Sequence, residues 1–100
     1  MNIDTIHNVY FIGIGGIGMS AIARYFKAAN IHVSGYDKTE TDVTLALKDL
    51  GIKISFEDDM QHVSPVFLDK KHTLIVYTPA VPKSHSQLQY FKSQGFEVLK

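Results

Sequence analysis

"FIGIGGIGMS" at residues 11–20 places four glycines within six positions, directly behind the apolar run "NVYFI". Glycine weakens strands and helices alike, so this density marks backbone that bends sharply or meets something closely. Upstream, "HNVYFIG" (7–13) is β-branched and aromatic and ends at glycine, which predicts a short central strand. Downstream, residues 17–29 switch to helical spacing, with Met19, Ile22, Phe26 and Ala29 on one face and Ser20, Arg24 and Lys27 on another. The stretch is a strand, a turn and a helix, and that order decides the fold.

The same alternation continues along the chain. "IHVSGYD" (31–37) predicts a second strand. Thr41 or Asp42 caps a helix with Val43, Ala46, Leu47 and Leu50 on one side, and Gly51 stops it. "IKIS" (52–55) is a short third strand, residues 57–72 read mostly as loop with a helical turn, and "TLIVYT" (73–78) is the clearest buried strand. Ser84 or Ser86 caps a last helix through Leu88 and Phe91, which Gly95 ends before "FEVL". That last segment is apolar enough to read as an interior strand, which suggests a piece of a longer protein. Strands alternating with helices imply βαβ crossovers. The expected architecture is α/β: a Rossmann-like, three-layer αβα domain with five parallel strands in the order 3-2-1-4-5. Its ligand crevice lies at the carboxyl ends of strands one and four, where the winding direction changes.

Within that frame, positions 13–18 satisfy G-x-G-x-x-G between a predicted strand and a predicted helix, the context the pattern needs. Gly13 permits the tight turn, Gly15 leaves room for a phosphate, and Gly18 lets the helix pack close to the sheet. The helix that follows offers unpaired N–H groups and about half a positive charge at its start, enough to hold a diphosphate without lysine. A turn built only for packing is the plain alternative. Asp37 ends the second strand 19 residues beyond Gly18. There a carboxylate accepts from ribose hydroxyls or a base N–H, or it merely caps the next turn. Lys38 beside it covers a base or is simply solvated. On these features alone the natural reading is a domain that binds a nicotinamide or flavin dinucleotide.

Composition narrows the class further. One hundred residues with 45% hydrophobic and 20% charged content suit one folded domain rather than a disordered chain. Ten basic and ten acidic residues cancel, so no general attraction to nucleic acid or membrane is expected and any anion site is local. Cysteine is absent, which removes disulfides and thiolate metal sites and fits a cytosolic protein. The apolar stretch near the N-terminus is too short for a membrane span and has no basic region before it. His7, His32, His62, His72 and His85 show no paired metal-ligand spacing and read as scattered structural or surface residues.

The stretch "VYFIGIGGIGMSAIA", followed by "VSGYD" and "YTPAVP", resembles the N-terminal domain of the Mur ligases, and within them the alanine-adding members. "VTLALKDLGIKI" (43–54) adds to the likeness, which weakens between 57 and 72. The resemblance implies a UDP-sugar, UDP-N-acetylmuramate, in place of a dinucleotide, in a cytoplasmic bacterial enzyme of peptidoglycan synthesis. It assigns the diphosphate to Gly15, Gly16, Ile17, Gly18, Met19 and Ser20, the uridine to Asp37, and the uracil side to Thr78, Pro79 and Ala80. Ser20 adds a hydroxyl donor or is an ordinary solvent-facing helix residue, and Met19 offers its backbone N–H while its side chain belongs to the core. The family's chemistry uses ATP and Mg2+ to activate a carboxylate for attack by L-alanine.

That chemistry needs a loop of the type G-x-x-x-x-G-K-[ST], and no glycine here is followed by lysine. The expectation is therefore one domain, 1–100, that binds the UDP-sugar, holds no catalytic residue, metal or cofactor, and partners a central ATP-binding domain of the same polypeptide. Two departures stand out. Thr78 and Pro79 stand where serines are frequent, and Glu57 and Asp58 stand where a Gly-His pair is frequent. The remaining readings are an NAD(H)-binding domain of a dehydrogenase or sensor, a domain of the ligase that recycles muramyl tripeptide, and an interaction domain with a purely structural glycine loop.

Overall fold

The computed structural model describes residues 3–100. After a 3-10 turn at Ile3–Thr5 come β1 (Asn8–Ile12), α1 (Ile17–Ala28), β2 (His32–Tyr36), α2 (Asp42–Asp49) and β3 (Lys53–Ser55). Two further 3-10 turns, Met60–His62 and Pro65–Leu68, lead to β4 (Thr73–Tyr77), α3 (Ser86–Ser93) and β5 (Glu97–Leu99). All strands pair in parallel, in the order β3-β2-β1-β4-β5, as expected from the sequence. Ile12 lies level with Tyr36 on one side and Tyr77 on the other, so the three central strands end together. Their shared carboxyl end carries the glycine turn.

Every residue of β1 is buried, and alternation divides them between two cores. Val9 and Phe11 join Val33, Leu47, Ile54, Leu74 and Val76 beneath α1 and α2. Tyr10 and Ile12 join Ile75, Phe67, Leu88, Phe91 and Phe96 beneath α3 and the 3-10 turns. At the opposite end of β1, Asn8 Nδ2 donates to Thr73 Oγ1 and to the Val66 carbonyl, both at 3.1 Å. Among the described residues, no helix is long and apolar enough to cross a membrane.

Several local expectations change. In α1 the side against the sheet is formed by Ser20 and Ala23, with Met19 and Phe26 half-buried beside them, while Ile22 and Ala29 are exposed. Small residues at the line of contact let the helix lie close to the strands, so Ser20 turns inward rather than to solvent. In α2, Thr41 is the cap and forms a capping box with Thr44, whose burial the apolar pattern does not show; Leu50 is half exposed. Within the described residues β5 pairs with β4, and Glu97 and Leu99 are exposed. The cap of α3 is His85, not a serine.

Candidate functional site

The glycine turn is shaped by its neighbours. Gly13 takes φ +93°, and a Cβ there would lie 2.2 Å from Thr78 Cγ2, so only glycine lets the chain leave β1 beside β4. The N–H groups of Gly13 and Ile14 donate to the Tyr36 carbonyl at 2.8 and 3.0 Å, tying the turn to the end of β2. Gly16 caps α1 with no side chain, and Ser20 N–H already donates to the Gly16 carbonyl at 2.8 Å. The N–H groups of Ile17, Gly18 and Met19 are thus left for an external acceptor. Gly18 does not serve helix packing as expected: an added Cβ would meet nothing within 4 Å, and the residue is exposed. Its openness leaves the first helical turn approachable.

Asp37 organises this turn. Its Oδ2 accepts from Gly15 N–H at 2.7 Å, and its Oδ1 accepts from Lys38 N–H at 2.8 Å and Thr39 N–H at 3.4 Å. A Cβ on Gly15 would approach Oδ2 to 2.7 Å and Thr44 Cγ2 to 3.0 Å, so the glycine is required by the carboxylate's closeness. A carboxylate offers about four acceptor positions, and three are taken. Asp37 braces the loop and keeps capacity for one further donor. Ser20 points elsewhere: its hydroxyl donates to the Ile17 carbonyl at 3.0 Å.

The opposite wall is built from a distance. Asp58, in the segment after β3, accepts from Ser86 N–H at 2.8 Å and Gln87 N–H at 3.0 Å, capping α3 from across the sheet. Gln87 is fully buried; its Nε2 donates to the Asp59 carbonyl at 2.9 Å and its Oε1 accepts from Tyr10 OH at 2.9 Å. Burial pushes the Tyr10 phenol well above its ordinary value, so it remains a donor. His85 lies between Asp58 and Tyr36, whose ring packs against the imidazole at 4.5 Å, edge to face. Burial also holds His85 below its ordinary value of 6.5, with Asp58 opposing.

These walls enclose a cleft of about 390 Å³ at the carboxyl ends of β1, β2 and β4. Of the residues expected there, Gly15, Gly16, Asp37, Lys38, Thr78 and Ala80 line it. Ile17 and Gly18 stand exposed at the start of α1, Met19 packs on the core, Ser20 is buried, and Pro79 lies outside the lining. Sequence reasoning missed Tyr36, Thr39, Thr41, Val81, Pro82 and His85 as lining residues. Among the described residues no group of three histidine, aspartate or glutamate side chains could hold a metal ion.

Residues 8–100 match the family described as "Mur ligase family, catalytic domain". The UDP-N-acetylmuramate--L-alanine ligase of Christiangramia forsetii is 50% identical over 100 residues, covering 99% of this chain and 22% of that protein. The protein of the same name from Flavobacterium psychrophilum is 53% identical, covering 100% of this chain and 22% of its own length. Of solved structures, a UDP-N-acetylmuramate-alanine ligase from Thermotoga maritima aligns with TM-score 0.79 at 29% identity, over 92% of this chain and 20% of that one. A UDP-N-acetylmuramate:L-alanyl-gamma-D-glutamyl-meso-diaminopimelate ligase from Neisseria meningitides shares the fold, with TM-score 0.74 at 23% identity over 93% and 28% of the two chains. The chain spans about a fifth of the length of the curated relatives it matches. From the first residue of β1 to its last residue, this chain belongs to the Mur ligase family.

Proposed function

We propose that residues 1–100 form the UDP-sugar-binding, N-terminal domain of an ATP-dependent ligase that joins L-alanine to UDP-N-acetylmuramate during cytoplasmic peptidoglycan synthesis. One observation carries the reading. The N–H groups of Ile17, Gly18 and Met19 lie uncapped at the start of α1, on a turn held open by Asp37, beside a cleft at the point where the sheet reverses. A diphosphate there places its nucleoside between Asp37 and Lys38 on one side and Thr78 and Ala80 on the other. The names of the relatives at 50% and 53% identity support the substrate and the amino acid.

ATP and Mg2+ do not fit these residues. The chain has no Gly-Lys step, and the described residues hold no cluster of metal-ligating side chains. The phosphoryl chemistry therefore belongs to a central domain of the same polypeptide, and this domain presents the sugar nucleotide to it.

Amide-shift mapping of the 100-residue chain with UDP-N-acetylmuramate tests the reading. The amides of residues 15–20 and of Asp37 are expected to move, and excess NADH is expected not to reverse the change. Silence in those amides, or saturable displacement by NADH, would overturn it.

A further inference from the structure

Among the described residues that line the cleft, Tyr36 alone brings a phenol ring. Its main chain belongs to the glycine turn: the Tyr36 carbonyl accepts from Gly13 N–H at 2.8 Å and from Ile14 N–H at 3.0 Å. The next residue, Asp37, accepts from Gly15 N–H at 2.7 Å. Tyr36 and the uncapped start of α1 are therefore parts of one hydrogen-bonded unit. The side chain is held as well. It packs against the core of Tyr10, Ile12 and Phe67, and edge to face against His85 with ring centres 4.5 Å apart. His85 is buried and fixed in turn, because its Nδ1 accepts from Leu88 N–H at 3.4 Å in the cap of α3. Tyr36 itself is only half-buried, so part of it stays open to the cleft. An aromatic ring held in this way is pre-organised for a ligand, since it gives up little side-chain freedom on binding.

Charge around the cleft decides which part of a nucleotide meets this ring. At the start of α1 the unpaired N–H groups carry partial positive charge and suit a diphosphate. Around Tyr36 the sign reverses: burial, and then the carboxylates of Asp58, Asp37 and Glu57, raise its phenol above the ordinary value. A phosphate is repelled there, whereas an uncharged base is not. Val81 and Pro82 add apolar surface to the same lining. We propose that the Tyr36 ring seats the base of the bound nucleotide, packing against the face of the uracil while the diphosphate lies at the start of α1. The assignment rests on the UDP-sugar reading above and deepens it. Stacking on an aromatic side chain needs only a π-face, so Tyr36 fixes the place of the base without reading its edge.

The test uses the 100-residue chain and two probes, UDP and inorganic pyrophosphate, which has no base. In wild type, UDP is expected to give nuclear Overhauser contacts between the Tyr36 ring protons and the two carbon-bound protons of uracil. Tyr36→Leu is expected to bind UDP about ten- to a hundredfold more weakly, the worth of stacking one base, with pyrophosphate binding unchanged. Tyr36→Phe, which keeps the ring, is expected to bind UDP within about threefold of wild type. Should the leucine variant fail to fold, the wild-type contacts and the phenylalanine variant decide alone. UDP moving the glycine-loop amides without those contacts, and binding Tyr36→Leu as tightly as wild type, overturns the role of Tyr36 and leaves the UDP-sugar reading standing. An equal loss for both probes in Tyr36→Leu also overturns it, placing the effect in the turn rather than at the base. If UDP moves neither the loop amides nor the Tyr36 ring, both fail together.

Discussion

Replacing Gly13 with alanine tests the turn on which the cleft depends. Gly13 sits at φ +93°, and a Cβ there would lie 2.2 Å from Thr78 Cγ2 and 3.5 Å from Val81 Cγ2. Holding alanine at that φ costs about 1–2 kcal/mol, offset by roughly 0.4–1 kcal/mol from a more restricted unfolded chain. The steric part is larger. The Thr78 main chain is held by its N–H, which donates to the Ile12 carbonyl at 3.1 Å, so relief requires the side chain to leave its rotamer. Overpacking of this kind costs about 1–3 kcal/mol. The sum is about 1–5 kcal/mol, centred near 3, a large share of the roughly 5–15 kcal/mol that holds a typical domain. The thermal midpoint should fall by on the order of 10–25 °C. Thr78→Ser removes Cγ2 and keeps the hydroxyl, so G13A/T78S should recover about 1–3 kcal/mol and retain only the backbone strain. Urea denaturation of wild type, both single variants and the double variant, followed by circular dichroism, gives the coupling directly. A G13A loss below about 0.5 kcal/mol, or a coupling near zero, refutes the reasoning.

Other changes separate stability from binding. Gly18→Ala should raise stability by up to about 1 kcal/mol, since the added methyl meets nothing. Helical Cβ atoms tilt toward the N-terminus, in front of the uncapped N–H groups, so the same variant should weaken UDP binding on the order of tenfold in a calorimetric titration. Asp37→Ala removes the acceptor of Gly15 N–H and should cost about 1–3 kcal/mol in urea denaturation, with loss of nucleotide binding. The folded state disfavours protonated His85, so the unfolded chain binds more protons below the ordinary value of 6.5, and stability should be full above that pH and decline as the pH falls through it. Urea midpoints from about pH 7 to about pH 5 should show that decline in wild type and a flatter profile in His85→Asn.

Much of this architecture is legible in the residues because its determinants are local. The continuous β-branched and aromatic run before Gly13 and the 3.6-residue period after it specify a buried strand and a helix, and the right-handed crossover then specifies parallel pairing. Gly51 and Gly95, at φ +88° and +80°, end their helices where the sequence places them. What escapes is set by partners distant in the chain. Periodicity gives α1 an apolar stripe through Ile22, but the closeness of the sheet selects the small residues Ser20 and Ala23 instead. No local signal shows that Asp58, 28 residues upstream of Ser86, accepts the first N–H groups of α3 beside its His85 cap, or that His85 lies in the cleft wall.

A crystal structure of the 100-residue chain with UDP-N-acetylmuramate addresses the central claim most directly. The account predicts diphosphate oxygens within hydrogen-bond distance of the N–H groups of Ile17, Gly18 and Met19, with the Asp37–Gly15 bond intact. A sugar nucleotide bound elsewhere on the chain, with those N–H groups still facing solvent, would contradict it.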